Sequence, residues 1–301
     1  MTDAEFDRLR PAAFAIAYRM LGSVSDAEDV VQEGFLRLHL AREGGERIES
    51  PRAYLSTVVS RLALDQLRSA AHRREAYVGD WLPEPLLTGA DADPARAAET
   101  ADSLSLAFLV LLESLSPEQR AAFLLREVFD EPYERIARII GTSKQNSRQL
   151  AARARRHVEE RRPRFEASRE QREQLATRFF AAAEEGDLEE LEQLLADDVV
   201  LRGDGGGKAP TFKSPLHGRT KVARVLLSGM RAAGRFGVVS RPVEANGQPA
   251  RLFFDGDGGL VGTMSLDIAD GQVQCIRSVV NPDKLGHLGP VGDLRALRAR
   301  R

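Results

Sequence analysis

The chain has 301 residues, 43% hydrophobic and 29% charged, with a formal net charge of −2; this is the composition of a globular protein long enough for two or three cores. No run of about 18 apolar residues is present to span a bilayer, and the acidic start (Asp3, Glu5, Asp7) is followed by no secretory-type apolar segment, so a cytoplasmic protein with no membrane partner is expected. The single cysteine, Cys275, allows no intrachain disulfide, and the histidines at 39, 72, 157, 217 and 287 lack metal-ligand spacing, so neither a structural metal nor a cofactor is expected.

Taken in chain order, residues 1–71 read as a small helical bundle. Ser25 stands before Asp26, Glu28 and Asp29 as a cap followed by acids that suit a helix N-terminus. A second helix starts at Ser50-Pro51 and runs through Tyr54, Leu55, Val58, Val59 and Leu62. Residues 72–102 lose periodicity and carry Pro83, Pro85 and Pro94, which makes them a linker. The only Trp of the chain lies there, in Trp81-Leu82-Pro83-Glu84-Pro85, and an apolar ring in a linker predicts docking into a groove. Helices resume at Ser103 to Glu113, and Ser116-Pro117 opens another that runs to about Val128.

Tyr133 to Arg156 then reads as a helix-turn-helix within a second all-helical domain, 103–163. Ile136, Ala137, Ile139 and Ile140 form one apolar face, Gly141 supplies the turn, and Thr142 or Ser143 caps the next helix. Ala137 and Gly141 are expected where the two helices approach closely. The second helix exposes Lys144, Gln145, Asn146, Arg148 and Gln149, side chains suited to base edges and phosphates. From Lys144 to Arg164 there are eight Lys/Arg against two Glu, so positive charge is concentrated on this segment.

Beyond Pro163 the pattern predicts helices at Arg169 to Glu185 and, capped by Asp187, at Leu188 to Leu195. Strands follow at Val199 to Leu201, Val238-Val239, Arg251 to Phe254, Leu260 to Ile268 and Val273 to Val280. An α+β domain over 168–288 with a curved antiparallel sheet and a cone-shaped cavity is expected, followed by a basic tail at 289–301. Asp204-Gly205-Gly206-Gly207-Lys208 fails as a Walker A loop, because Gly203 lies three residues before Gly207 and Ala209 follows Lys208; it reads as a glycine-rich loop contacting another domain. Asp197, Asp198, His217 and Asp267 are the candidate acid/base groups, but the first two look like turn residues and His217 like a loop residue.

The first two blocks resemble regions two and four of an extracytoplasmic-function sigma factor. The resemblance is carried by Asp26-Ala27-Glu28-Asp29-Val30-Val31-Gln32-Glu33, by Tyr54-Leu55 through Asp65 to Arg68, and by Tyr133-Glu134-Arg135-Ile136-Ala137 with Gly141 and Arg153-Ala154-Arg155. The remainder resembles a SnoaL-like domain of the NTF2 superfamily. The segments Trp81 to Pro85, Asp204 to Lys208 and Asn281-Pro282-Asp283-Lys284-Leu285 match the sigma subgroup that carries such a domain. The resemblance implies a multidomain chain, two all-α sigma domains followed by an α+β cone domain, whose partners are promoter DNA and the RNA polymerase core through its β′ clamp helices and β flap. By the same resemblance Asp26, Asp29, Gln32 and Glu33 bind polymerase, and Arg61, Asp65 and Arg68 read the −10 element. Ser143, Lys144, Gln145, Asn146, Arg148, Gln149 and Arg153 read the −35 element. Trp81, Leu82, Pro83, Asp204, Lys208, Asn281, Pro282, Asp283 and Lys284 are regulatory contacts. The expected function is promoter-specific transcription initiation, with the fused domain modulating activity in place of a separate anti-sigma protein and without enzymatic activity. The alternatives are a ligand-sensing helix-turn-helix repressor and a SnoaL-type enzyme fused to a DNA-binding module. Any small ligand of the cavity is left open.

Overall fold

Local capping chemistry sets most helix starts. A computed structural model describes residues 3–75, 77–88, 104–161 and 168–299, so Ser103 and much of the linker lie outside the described residues. Its contacts divide the chain into two units, Met1–Ala76 with Phe108–Arg162 and Tyr77–Ala107 with Pro163–Arg301. The described linker residues thus belong with the C-terminal domain. No helix among the described residues is long and apolar enough to cross a membrane.

In the first unit α1 (Asp3–Leu21), α2 (Val24–Glu43) and α3 (Pro51–Glu75) pack around Tyr18, Leu38, Leu55 and Leu64. The cap of α2 is Ser23, whose hydroxyl accepts from the Asp26 amide at 3.1 Å, and not Ser25. Gly22, at φ 67, ends α1 two residues before α2 begins, so the chain has room for a cap only at position 23. Ser50 caps α3 as expected, accepting from the Ala53 amide at 3.2 Å.

The second helical half comprises α4 (Leu106–Leu112), α5 (Pro117–Phe123), α6 (Tyr133–Ile140) and α7 (Lys144–Arg161). Ser116 and Gln119 form a reciprocal capping box at α5, which continues to Val128 as a π-helical turn, Leu124–Val128. Gly141 sits at φ 78 between α6 and α7. A Cβ placed there would meet nothing within 4 Å; the turn needs glycine for its left-handed backbone and not for close helix approach.

The second unit opens with α8 (Arg169–Glu185) and α9 (Leu188–Leu194), capped by Ser168 and Asp187. They pack with α10 (Arg219–Arg235) on one sheet face through Phe179, Leu191, Val222, Leu266 and Ile276. The strands are β1 (Leu195–Asp204), β2 (Leu216–His217), β3 (Val239–Ala245), β4 (Gln248–Phe254), β5 (Leu260–Ala269) and β6 (Gln272–Val279), in the order β2-β1-β6-β5-β4-β3. The sheet is mixed, not antiparallel throughout, because β1 lies parallel to β6 after the long excursion through α10. Asp197 and Asp198 lie inside β1 where its register with β6 shifts, and not in a turn before it. The segment 289–301, expected as a tail, carries α11 (Leu294–Ala299).

Candidate nucleic-acid interface and linker clasp

Helix α7 presents its expected polar face. Ser143 caps it, accepting from the Asn146 amide at 3.1 Å, and Lys144, Gln145, Asn146, Arg148, Gln149 and Arg153 are all exposed. Ser147 points inward, fully buried, its hydroxyl donating to the Ser143 carbonyl at 3.1 Å. Lys144 pairs with Glu134, whose carboxyl it holds below the usual range. The Arg148 guanidinium lies 5.5 Å from the centre of the Tyr133 ring. The helix therefore offers amides and cations to solvent while α6 orients its first turn.

On α2, Asp29 and Gln32 are exposed while Asp26 and Glu33 are half-buried, Glu33 accepting from Arg37 at 2.7 Å. Leu36 and Leu40 continue the same face at 51% and 55% exposure, and such leucines beside acids suit a protein partner better than solvent. On α3, Arg61 donates to the Arg138 carbonyl at 2.9 Å, and Arg68 bridges Asp65 at 3.2 Å and Glu118 at 3.0 Å. Asp65 is thus paired with Arg68. The stripe continues through Thr57, which accepts from Arg135 at 3.1 Å, and Ser56, which donates to Glu131 at 2.9 Å. Arg120 of α5 is buried against Glu113 and donates to the Arg19 carbonyl at 3.1 Å; burial pushes its pKa down to about 9.

In the second unit the linker is bound by a clasp centred on Asp204, which is fully buried. Asp204 accepts from Tyr77 Oη at 2.5 Å, from the Leu82 amide at 2.8 Å, and from Lys284 Nζ at 2.7 Å. Lys284 also donates to the Leu82 carbonyl at 2.5 Å and lies 4.1 Å from the centre of the Trp81 ring. Asn281 donates to Tyr77 Oη at 2.9 Å. Burial, then the adjoining carboxylate, push the Tyr77 phenol above its ordinary pKa, so it stays a donor. The glycines of Asp204 to Lys208 are dictated by contact: a Cβ on Gly206 would stand 2.3 Å from Asn281 Nδ2, and one on Gly207 3.3 Å from Val78 Cβ. Lys208 pairs with Asp283 at 2.5 Å at the exposed rim, and Pro282 opens the turn Pro282–Lys284. Pro83 is buried. Farther along, Asn246 exchanges 2.8 Å hydrogen bonds with Leu86 through its side chain and backbone, and Thr88 binds Glu244. His287 Nε2 donates to the Pro85 carbonyl at 2.7 Å.

A cavity of about 290 Å³ lies between α10 and the sheet, with Leu226, Met230, Phe253 and Met264 among its apolar lining and the hydroxyls of Thr211, Thr263 and Ser278. None of the lining residues titrates, and none of the four acid/base candidates is among them. Asp197 pairs with Arg219 at 2.9 Å, Asp198 and His217 are exposed, and Asp267 is buried against Arg277. The chemistry of a general base is absent from the lining.

Family models for Sigma-70 region 2 and Sigma-70 region 4 match residues 6–73 and 105–158. The ECF RNA polymerase sigma factor SigJ of Mycobacterium tuberculosis is 40% identical over 296 residues, covering 94% of this chain and 93% of the relative. The chain belongs to the extracytoplasmic-function RNA polymerase sigma factors. The probable sigma factor SigI of the same organism is 34% identical over 275 residues, covering 91% of each chain. The crystal structure of SigJ superposes with a TM-score of 0.76 at 35% identity, covering 97% of this chain and all of that one. This sigma factor therefore joins two helical sigma domains to an α+β domain. Sigma factors bind the polymerase core and promoter DNA to start transcription at chosen promoters, and theirs is not an enzyme family.

Several features of the candidate sites carry no signal in the residue pattern. Leu36 and Leu40 are exposed although a helical apolar pattern reads any leucine as core. Asn246-Gly247, with φ of 54° and 69°, carries a hairpin signal, but its hold on Leu86 and the hold of His287 on Pro85 are long-range contacts with no local signature.

Proposed function

We propose that this sigma factor reads a bipartite promoter with α7 at the −35 element and α3 at the −10 element, and that the C-terminal domain governs its competence by holding the linker. Asp26, Asp29, Gln32 and Glu33, joined by Leu36 and Leu40, are the polymerase-binding face, suited to the β′ clamp helices; the second helical half meets the β flap. The protein acts in the cytoplasm, and its C-terminal domain binds rather than catalyses. The observation that carries the regulatory part is the Asp204–Lys284 clasp, which fixes both backbone groups of Leu82 inside the domain. A linker held by one domain limits the separations open to the helical domains at its ends. Multi-round transcription with purified core polymerase tests the reading, comparing the full chain with one ending at position 164. Promoter-specific transcripts are expected from the full chain, with output changed by truncation. Equal output from both would reject the regulatory part, and absence of specific transcripts from every form would reject the promoter-reading part.

A further inference from the structure

The inference rests on the regulatory reading of the clasp and concerns what controls it. The walls of the apolar cavity and the clasp are built from the same short segments. β1 supplies Leu201 to the cavity and Asp204 to the clasp; Ser278 and Val280 line the cavity, and Asn281 follows in the clasp. A third wall, Pro210 to Phe212, lies against both: a Cβ on Gly203 would stand 2.2 Å from Thr211 Oγ1, and one on Gly79 of the linker 3.7 Å from the Phe212 carbonyl. Leu294 of α11 closes one side, and the next residue, Arg295, donates to the Gly207 carbonyl at 2.5 Å. Val78 of the linker packs on that same Gly207.

We propose that the cavity binds a small, neutral, largely apolar molecule with one or two hydrogen-bonding groups, and that occupancy tightens the clasp on the linker. The ligand class follows from the lining: a charge there would be buried without a partner, whereas Thr211, Thr263 and Ser278 can meet a hydroxyl or carbonyl. The volume, about 290 Å³, is at the small end of the roughly 300–1,000 Å³ of ligand pockets. The sign follows from linkage: the cavity has this shape with the linker docked, so a molecule that fits it favours the docked state.

Titration of the full chain with 2-naphthol, followed by its fluorescence, tests binding, with 2-naphthoate as the charged counterpart. Saturable one-to-one binding is expected, with the anion weaker by about tenfold or more. Hydrogen exchange then reads the coupling. The amides of Leu82, Leu86 and Thr88, bonded to Asp204, Asn246 and Glu244, should exchange more slowly, by up to about tenfold with 2-naphthol at ten times its Kd. Ala233→Trp fills the cavity and should abolish both effects; if it does not fold, Ala233→Leu should weaken both. Arg295→Ala should leave binding intact and reduce the slowing. Absence of saturable binding, or anion binding as tight as the phenol, overturns the site; binding with exchange at 77–88 unchanged or faster overturns the coupling. Neither measurement involves polymerase, so both fail or succeed independently of the transcription test.

Discussion

Replacing Lys284 with Met keeps the length of the side chain and removes only its charge and donors. The Lys284 side chain is 8% exposed and that of Asp204 not at all, and breaking a buried pair by removing one partner costs about 3–5 kcal/mol. Asp204 would keep three donors, Tyr77 Oη and the amides of Leu82 and Gly206, which places the cost near the lower end, about 3 kcal/mol. Loss of the cation over the Trp81 ring, 4.1 Å away, adds about 1 kcal/mol. A total of about 4 kcal/mol shifts the balance between docked and released linker by nearly a thousandfold. Release lets water reach the stranded carboxylate, so the damage should appear in the linker before the rest of the domain. Trp81, the lone tryptophan, reports it through its emission maximum, and exchange of the Leu82, Leu86 and Thr88 amides reports it independently. Adding Asp204→Asn to Lys284→Met should recover about half of the loss, because no buried charge is then left unpaired. An unshifted emission maximum with exchange within twofold of the parent in Lys284→Met, or a second substitution that adds to the first, would refute the reasoning.

Other substitutions separate the remaining contributions. Arg148→Ala should weaken promoter binding by the polymerase-bound sigma factor by about 1–3 kcal/mol if the side chain reads a base, or lower the salt dependence by about one if it meets a phosphate; gel shifts at several salt concentrations distinguish these from no effect. Gly206→Ala and Gly141→Ala both force a left-handed backbone on alanine, at φ 57 and φ 78. The second should cost only about 1–2 kcal/mol of backbone strain, because its Cβ enters open space. The first should cost more and free Tyr77 from Asn281, seen as faster exchange in the linker. The Arg42 guanidinium, by donating to it, holds the Glu5 carboxyl below the usual carboxylate range, so its contribution to stability is present above the ordinary glutamate pKa of about 4.3 and is lost as pH falls through the lowered folded value. Glu5→Gln should therefore reduce Tm at pH 7 but not at about pH 2; an equal deficit at both would contradict this.

Element starts were legible because capping is local: Ser50, Ser116, Ser143 and Asp187 each accept from an amide three residues on, a relation that sequence spacing contains. The one displaced cap, Ser23 for Ser25, shows the limit, since two serines compete and Gly22 decides between them. Helix α10 has helical spacing at Val222, Ala223, Leu226 and Leu227, but Gly229 and Gly234 break the pattern and strands surround it, so its local signal is weak. Parallel pairing of β1 with β6 is a property of the intervening chain path and not of either strand. Of the candidate site, the residue types of the clasp were visible as odd segments in the linker and two loops. Their convergence on one carboxylate was not, since Asp204 and Lys284 are 80 positions apart.

The contacts of α3 bear on how the first unit works. If α3 reads the −10 strand as proposed, Arg61 and Arg68 are needed by DNA, yet here they are engaged by Arg138 and Glu118. One stripe cannot satisfy both partners, so docking on α5 and α6 excludes DNA from it. The exposed ion pair is worth about 0.2–1 kcal/mol, and each hydrogen bond to Arg138, Thr57, Glu131 and Arg19 about 0.5–1.5 kcal/mol. Together these contacts are worth a few kcal/mol before the entropic cost of docking is set against them. A partner binding at nanomolar strength has about 12 kcal/mol to spend on reversing it. On the proposed −10 reading, opening of this unit is within reach of polymerase, and contacts inside the helical unit compete with DNA for Arg61 and Arg68.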